Sequence, residues 1–293
     1  MIVRRRVYIA LAGIAVALTS PMVSGAADQV NDQKGPNWQV GFSPTYMSGN
    51  YGTSSTTNIT YLPLSIRRLF DNGDLTFTVP YLCITSDGAV TLVSGVPNRV
   101  SKSGTTTTAQ GGGQGGGKGK KSPGNVEPTS STDCGIGDLL FRGRYYLVDE
   151  QGLVPTIAVT GRIKIPTADS DRGLGTGRFD ETLGVELSKT LVKNWLGFAN
   201  FGYTFIGEPE GVDLRNQWYY DFGVGYNVTN NLLVSMYYEE YRALIEGLSN
   251  PRDLLFALNY KATSALRFNA SILVGLSNGA PDYGLTGGIS WRF

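Results

Sequence analysis

Apolar and polar positions alternate along most of the chain after Asp28. Trp218, Tyr220, Phe222, Val224, Tyr226 and Val228 interleave with Gln217, Tyr219, Asp221, Gly223, Gly225 and Asn227. The C-terminal segment does the same, with Tyr283, Leu285, Gly287, Ile289, Trp291 and Phe293 on one face and Gly284, Thr286, Gly288, Ser290 and Arg292 on the other. A period of two over such lengths belongs to a β-strand with one apolar face. Segments of this kind predict twelve strands, at about 38–48, 58–69, 75–85, 135–148, 153–166, 179–189, 195–207, 216–228, 232–243, 253–262, 265–275 and 283–293. In the second segment Ile59, Tyr61 and Pro63 face away from Leu62, Leu64 and Ile66, so neither face is polar. The ninth is apolar on both faces, which leaves open whether Tyr237 and Tyr241 or Tyr238 point inward.

The connections are sorted by length. Those after even-numbered strands are short, such as Asp71-Asn72-Gly73-Asp74 and Thr263-Ser264, whereas those after odd-numbered strands are longer and rich in Gly, Ser and Asn. Short turns at one end, long loops at the other and both termini at the short end are the layout of an outer-membrane barrel. Predicted strands of about 10 to 14 residues also exceed the usual soluble length and suffice for a tilted crossing. The fold expected is therefore all-β, a transmembrane antiparallel β-barrel of about twelve strands occupying residues 28–293 as one domain. The longest connection, at about 86–133, contains the run GGGQGGGKGKK from Gly111 to Lys121, whose composition is that of a flexible outer loop. It approaches a phosphate-binding loop but has Gly119 where the Ser or Thr that holds magnesium would stand.

Arg4, Arg5 and Arg6 precede the apolar run Val7 to Leu18, followed by Pro21 and the small residues Ser24 to Ala27. That order is a secretory signal peptide, residues 1–27, cleaved after Ala26 or Ala27. An exported chain without further helical spans has the closed barrel as its route into a membrane, which places it in the cell outer membrane with lipid around it. Removing the leader leaves 25 − 3 = 22 basic against 24 acidic side chains, a net charge of −2, with no basic stripe to attract nucleic acid.

Cys83 and Cys134, the only cysteines, end the third strand and begin the fourth, so antiparallel pairing in an oxidising periplasm predicts a disulfide at the base of the long loop. There is no histidine anywhere. A serine nucleophile therefore lacks its usual base, and two thiols alone make a poor metal site, so neither an enzyme nor a metal or other cofactor is expected. The inward positions instead offer charge. Asp138, Arg142, Arg144, Arg162, Lys164, Asp180 and Glu186 are expected in the lumen, joined by Tyr146, Tyr219 and Asp221 as permeation candidates. Folding about Asp149 to Gly152 would set Asp138 opposite Arg162. Such charges either brace the barrel by neutralising one another or orient a small permeant.

The run Gly135-Ile136-Gly137-Asp138-Leu139 through Tyr145 and Leu147 resembles a family of outer-membrane transporters linked by name to the meta-cleavage (MetA) pathway of phenol degradation. Further matching stretches follow in order: Lys164-Ile165-Pro166-Thr167, Leu174-Gly175-Thr176-Gly177 with Asp180, Leu187-Ser188-Lys189, and Gly202-Tyr203-Thr204-Phe205. The resemblance implies a channel or transport barrel for small aromatic or hydrophobic compounds, and it carries no catalytic residues. The alternative is a non-catalytic structural or partner-binding barrel. The terminal Phe293 behind Trp291 and Ile289 resembles the signal read by the barrel assembly machinery.

Overall fold

The computed structural model describes residues 37–101 and 130–293. The signal peptide and the Gly/Lys-rich run both lie outside these residues.

The barrel wall is built from β1 (Trp38–Phe42), β2 (Thr45–Gly49), β3 (Thr57–Phe70), β4 (Gly73–Ser86), β7 (Ser131–Ile136), β8 (Leu139–Val148) and β9 (Thr156–Ile165), then β10 (Asp180–Val192), β11 (Trp195–Ile206), β12 (Gln217–Thr229), β13 (Leu232–Tyr241), β14 (Arg252–Lys261), β15 (Leu266–Gly275) and β16 (Tyr283–Arg292). Since β1 with β2 and β7 with β8 each run as one interrupted strand, the wall has twelve strands, all paired antiparallel. It closes where β16 pairs with β1 and β2. Trp38 and Phe293 exchange both backbone hydrogen bonds at that seam, at 3.0 and 2.8 Å. Closure leaves no free sheet edge, the condition for a sheet to cross lipid.

The two interruptions share one cause. Pro63 of β3 lies directly across from Pro80 of β4. Neither proline has an N–H to give, so each leaves the ladder on its other side short of a donor. On the β3 side the first strand breaks at Ser43 and Pro44, and on the β4 side the fourth breaks at Gly137 and Asp138. Only a single bond, from the Gly137 N–H to the Pro80 carbonyl at 2.9 Å, bridges the second gap. The two uninterrupted strands expected at 38–48 and 135–148 are thus each divided.

Outside, the alternation gives a continuous apolar belt: Phe201, Phe222, Phe256, Ile272, Leu285 and Trp291 are all exposed. Aromatic pairs rim it at both ends. Trp195 and Tyr226, 5.0 Å apart, stand at the short-turn end; Trp218 stacked on Tyr220 at 5.7 Å and Tyr46 beside Tyr283 at 6.3 Å stand at the long-loop end. An apolar belt between aromatic girdles is the outer surface of a barrel that crosses lipid.

Inside, the structure adds an element. Within the stretch expected as loop, β5 (Val90–Val93) and β6 (Val96–Arg99) form a hairpin of their own. Ser94 and Gly95 both take positive φ, 52° and 78°, as a two-residue turn matched to strand twist requires. The hairpin is folded back into the long-loop end of the lumen, where Val93 and Ser94 are almost wholly buried. Its residues Val90 and Leu92 pack against Ile59, Tyr61, Leu82 and Ile84 of β3 and β4. This explains the apolar inner face of the second strand: Ile59 and Tyr61 point inward but meet protein instead of water. On β13, Tyr237 and Tyr241 are buried inside while Tyr238 stands on the outer face beside Phe222.

Candidate functional site

The lumen has a charged wall built by β3, β4, β8, β9 and β10. Arg67 Nη2 meets Asp74 Oδ2 at 2.7 Å, Arg144 Nη1 approaches the same oxygen at 3.8 Å, and Arg144 Nε reaches Glu186 Oε2 at 2.9 Å. Arg142 closes the series on Glu186 Oε1. Acids and bases thus alternate from the short turn at Asp71-Asn72 up to mid-barrel, and each carboxylate serves two guanidinium groups. The Arg144 side chain is fully shielded from solvent. A buried ion is costly unless paired, and this chain of contacts gives every charge an opposite partner, although Arg144 Nη2 and Asp74 Oδ1 are left without a hydrogen bond. Arg144 also reaches the Tyr146 hydroxyl at 3.3 Å, and Arg162 reaches Thr182 Oγ1 at 3.3 Å.

A second hub lies nearer the long-loop end. Lys164 Nζ sits 3.2 Å from Asp138 Oδ2, 3.0 Å from Asp180 Oδ2 and 2.7 Å from Thr176 Oγ1. Asp138 occupies the break between β7 and β8, and its other oxygen accepts the Ala168 N–H at 3.0 Å. Asp180 Oδ1 accepts the Gly207 N–H at 3.0 Å, and its Oδ2 also accepts the Ser94 N–H at 3.1 Å. One ammonium group therefore ties together two wall strands, two outer loops and the hairpin tip.

The opposite wall is acidic. Asp221, Glu239 and Asp253 are register neighbours on β12, β13 and β14, all buried on the inner face. Asn200 donates to Asp221 Oδ1 at 2.6 Å at one end of this row. The result is a lumen with an alternating acid and base network on one side and a row of three adjacent carboxylic groups on the other. Above the acids, Tyr219 and Tyr241 stack at 5.6 Å with 24° between their rings. Tyr219 can lie flat against the wall because its register partner is Gly202, where an added Cβ would come within 2.3 Å of the ring.

All ten residues singled out from the sequence are placed on the inner face of the barrel, and nine of them enter the contacts just described with Tyr219 in the aromatic stack. The expected pairing of Asp138 with Arg162 is not what forms. The reversal after β8 runs through Gln151 and Val154, which bridge each other, instead of centring between Asp149 and Gly152. That shift puts Arg142, not Asp138, opposite Arg162 and hands Asp138 to Lys164. Arg67 and Asp74 flank a tight turn at the barrel's end, where alternation is least legible in the sequence, and both fall on inward positions of their strands. Glu239 is obscured by the two-sided apolar character of β13, and Asp253 lies opposite it at the start of β14, where the alternation has barely begun.

Toward the long-loop end, on outward-facing positions of the wall, Cys83 and Cys134 are direct register partners and are joined as a disulfide, with Cα atoms 4.1 Å apart.

The sequence signature of the family described as "Putative MetA-pathway of phenol degradation" matches residues 70–293. The chain belongs to that family. Among solved structures, an outer membrane channel from Pseudomonas putida superimposes with a TM-score of 0.58 at 12% identity, covering 91% of this chain and 98% of that one. The KdgM porin gives a TM-score of 0.51 at 7% identity, covering 87% and 99%. At these identities the likeness is one of fold, and it confirms the closed outer-membrane barrel. A comparison with curated protein sequences finds no match. The matched residues take in the Lys164 hub, the acidic row and the charged wall from Asp74 onward, with Arg67 just before them.

Proposed function

We propose that this family member is an outer-membrane channel that takes up small aromatic or hydrophobic compounds, and that it performs no covalent chemistry. The observation that carries the reading is the pairing of a lipid-facing apolar belt with an inner face bearing opposed charged walls and stacked tyrosines. A barrel meant only as a scaffold has no need for a lumen field, whereas a permeant crossing the membrane is oriented by one. Tyr219 and Tyr241 supply ring surface along which an apolar compound can pass, and the family's description points to phenolic substrates. The ten residues Asp138 to Asp221 line this path in our reading, with Arg142, Arg144 and Arg162 setting its charge preference.

The absence of histidine removes the most common general base, and the acids and bases of the charged wall are engaged with one another. The permeant is the small-molecule partner, lipid surrounds the belt, and Phe293, exposed beside Trp291, is the handle for the assembly machinery. One observation favours a second reading, a closed structural barrel: the hairpin β5–β6 fills the outer part of the lumen.

Two measurements test the proposal. Unheated and boiled samples should migrate differently on a denaturing gel, and identical migration with recovery in the soluble periplasm would sink the membrane barrel. Reconstituted protein should then give bilayer current or solute uptake into liposomes; failure of both, including after addition of phenol, hands the assignment to the closed barrel.

A further inference from the structure

The hairpin β5–β6 is bound to the lumen the way a ligand is bound. Its backbone ladder is entirely internal, Val90 to Arg99 through Val93 to Val96, and forms a two-stranded sheet separate from the wall. It holds the wall by side-chain packing and a few isolated polar contacts. Val96 packs against the stacked rings of Tyr219 and Tyr241. Val93 fills a socket of Ile206, Leu214, Leu244 and Ile245. The Ser94 N–H is given to Asp180, and Asn98 Oδ1 accepts from Gln217 Nε2 at 3.0 Å. Withdrawing the hairpin therefore breaks no hydrogen bond of the barrel ladder. The Cys83–Cys134 bridge holds the strands from which it springs, so the wall stays closed when it moves.

What withdrawal leaves behind is a surface with definite chemistry. It offers two stacked tyrosine rings, the carboxylate of Asp180 as an acceptor and the amide of Gln217 as a donor. A flat apolar ring carrying one hydroxyl or amine donor meets the same demands that Val96 and the Ser94 N–H meet now. Resting on the channel reading above, we propose that the hairpin occupies the recognition site of the permeant. Tyr219, Tyr241, Asp180 and Gln217 bind a small ring with a hydrogen-bond donor, and the bound ring displaces the hairpin and opens the lumen.

The test uses the full chain in planar bilayers, with para-cresol as the probe and toluene as the ring that lacks a donor. Para-cresol should raise the open fraction of the wild type, and toluene should do so less. Val96→Asp, which sets a charge against the two rings, should evict the hairpin and conduct without any probe; heat-modifiable gel migration certifies that its barrel has formed. In that background calorimetry should show tighter para-cresol binding than to the wild type, weakened about tenfold by Tyr219→Leu. A folded Val96→Asp barrel that stays as closed as the wild type and binds para-cresol no better overturns the proposal. So does para-cresol binding that is indifferent to Tyr219→Leu. If no variant conducts but the binding differences appear as expected, the shared site stands and the channel reading is what fails.

Discussion

The backbone N–H of Ser94 lies 3.1 Å from Asp180 Oδ2, joining residues 86 positions apart in sequence. The same oxygen is 3.0 Å from Lys164 Nζ, so the tip of the hairpin and the strongest charge cluster of the outer lumen share one atom. Anything that alters the charge at Lys164 is consequently felt by the hairpin.

Replacing Lys164 with Met should leave Asp138 and Asp180 facing each other without their cation. Breaking one partner of a buried pair typically costs about 3 to 5 kcal/mol. The urea midpoint of barrel unfolding, followed by gel mobility, should fall accordingly, and Lys164→Met combined with Asp180→Asn should recover part of the loss. Unchanged midpoints in both variants would show that the hub contributes nothing to stability.

Removing the bridge with Cys83→Ser and Cys134→Ser should destabilise the barrel by up to about 4 kcal/mol in the chain-entropy account, given the 51-residue separation. A non-reduced digest of the wild type should yield linked peptides containing both cysteines. Free thiols at both positions in protein taken from the periplasmic route would refute the bridge.

Gly202→Ala should force the Tyr219 ring off the wall, since the new Cβ would lie 2.3 Å from it. Overpacking of this kind costs about 1 to 3 kcal/mol. The thermal midpoint should drop while Gly287→Ala, where nothing stands within 4 Å of an added Cβ, serves as the tolerant control. Equal behaviour of the two variants would contradict the ring's placement.

Neutralising Arg142, Arg144 and Arg162 together as glutamines should leave the acidic row of Asp221, Glu239 and Asp253 dominant. Reversal potentials under a potassium chloride gradient should then move toward cation preference. A selectivity identical to that of the wild type would place these arginines off the path.

The local pattern of the chain was enough to establish the barrel, its strand count, the apolar belt and the inward position of Arg142, Arg144, Lys164, Asp180 and Tyr219. A lipid environment demands one apolar face from every strand, and a period of two records that demand within ten residues. The cysteine pairing was legible for the same reason, because it follows from two adjacent strand ends. Which charges meet was decided only in three dimensions. Register depends on where each reversal is centred, and the bridge between Gln151 and Val154 gave Asp138 to Lys164 and set Arg142 opposite Arg162. The hairpin lay inside the stretch expected as loop, because its burial on both faces erases the alternation that marks the wall strands and leaves only Ser94-Gly95 as a turn signal. Its seat against Tyr219, Tyr241 and Asp180 rests on contacts made across the lumen, between segments that the closing of the barrel brings together and that no local periodicity can encode.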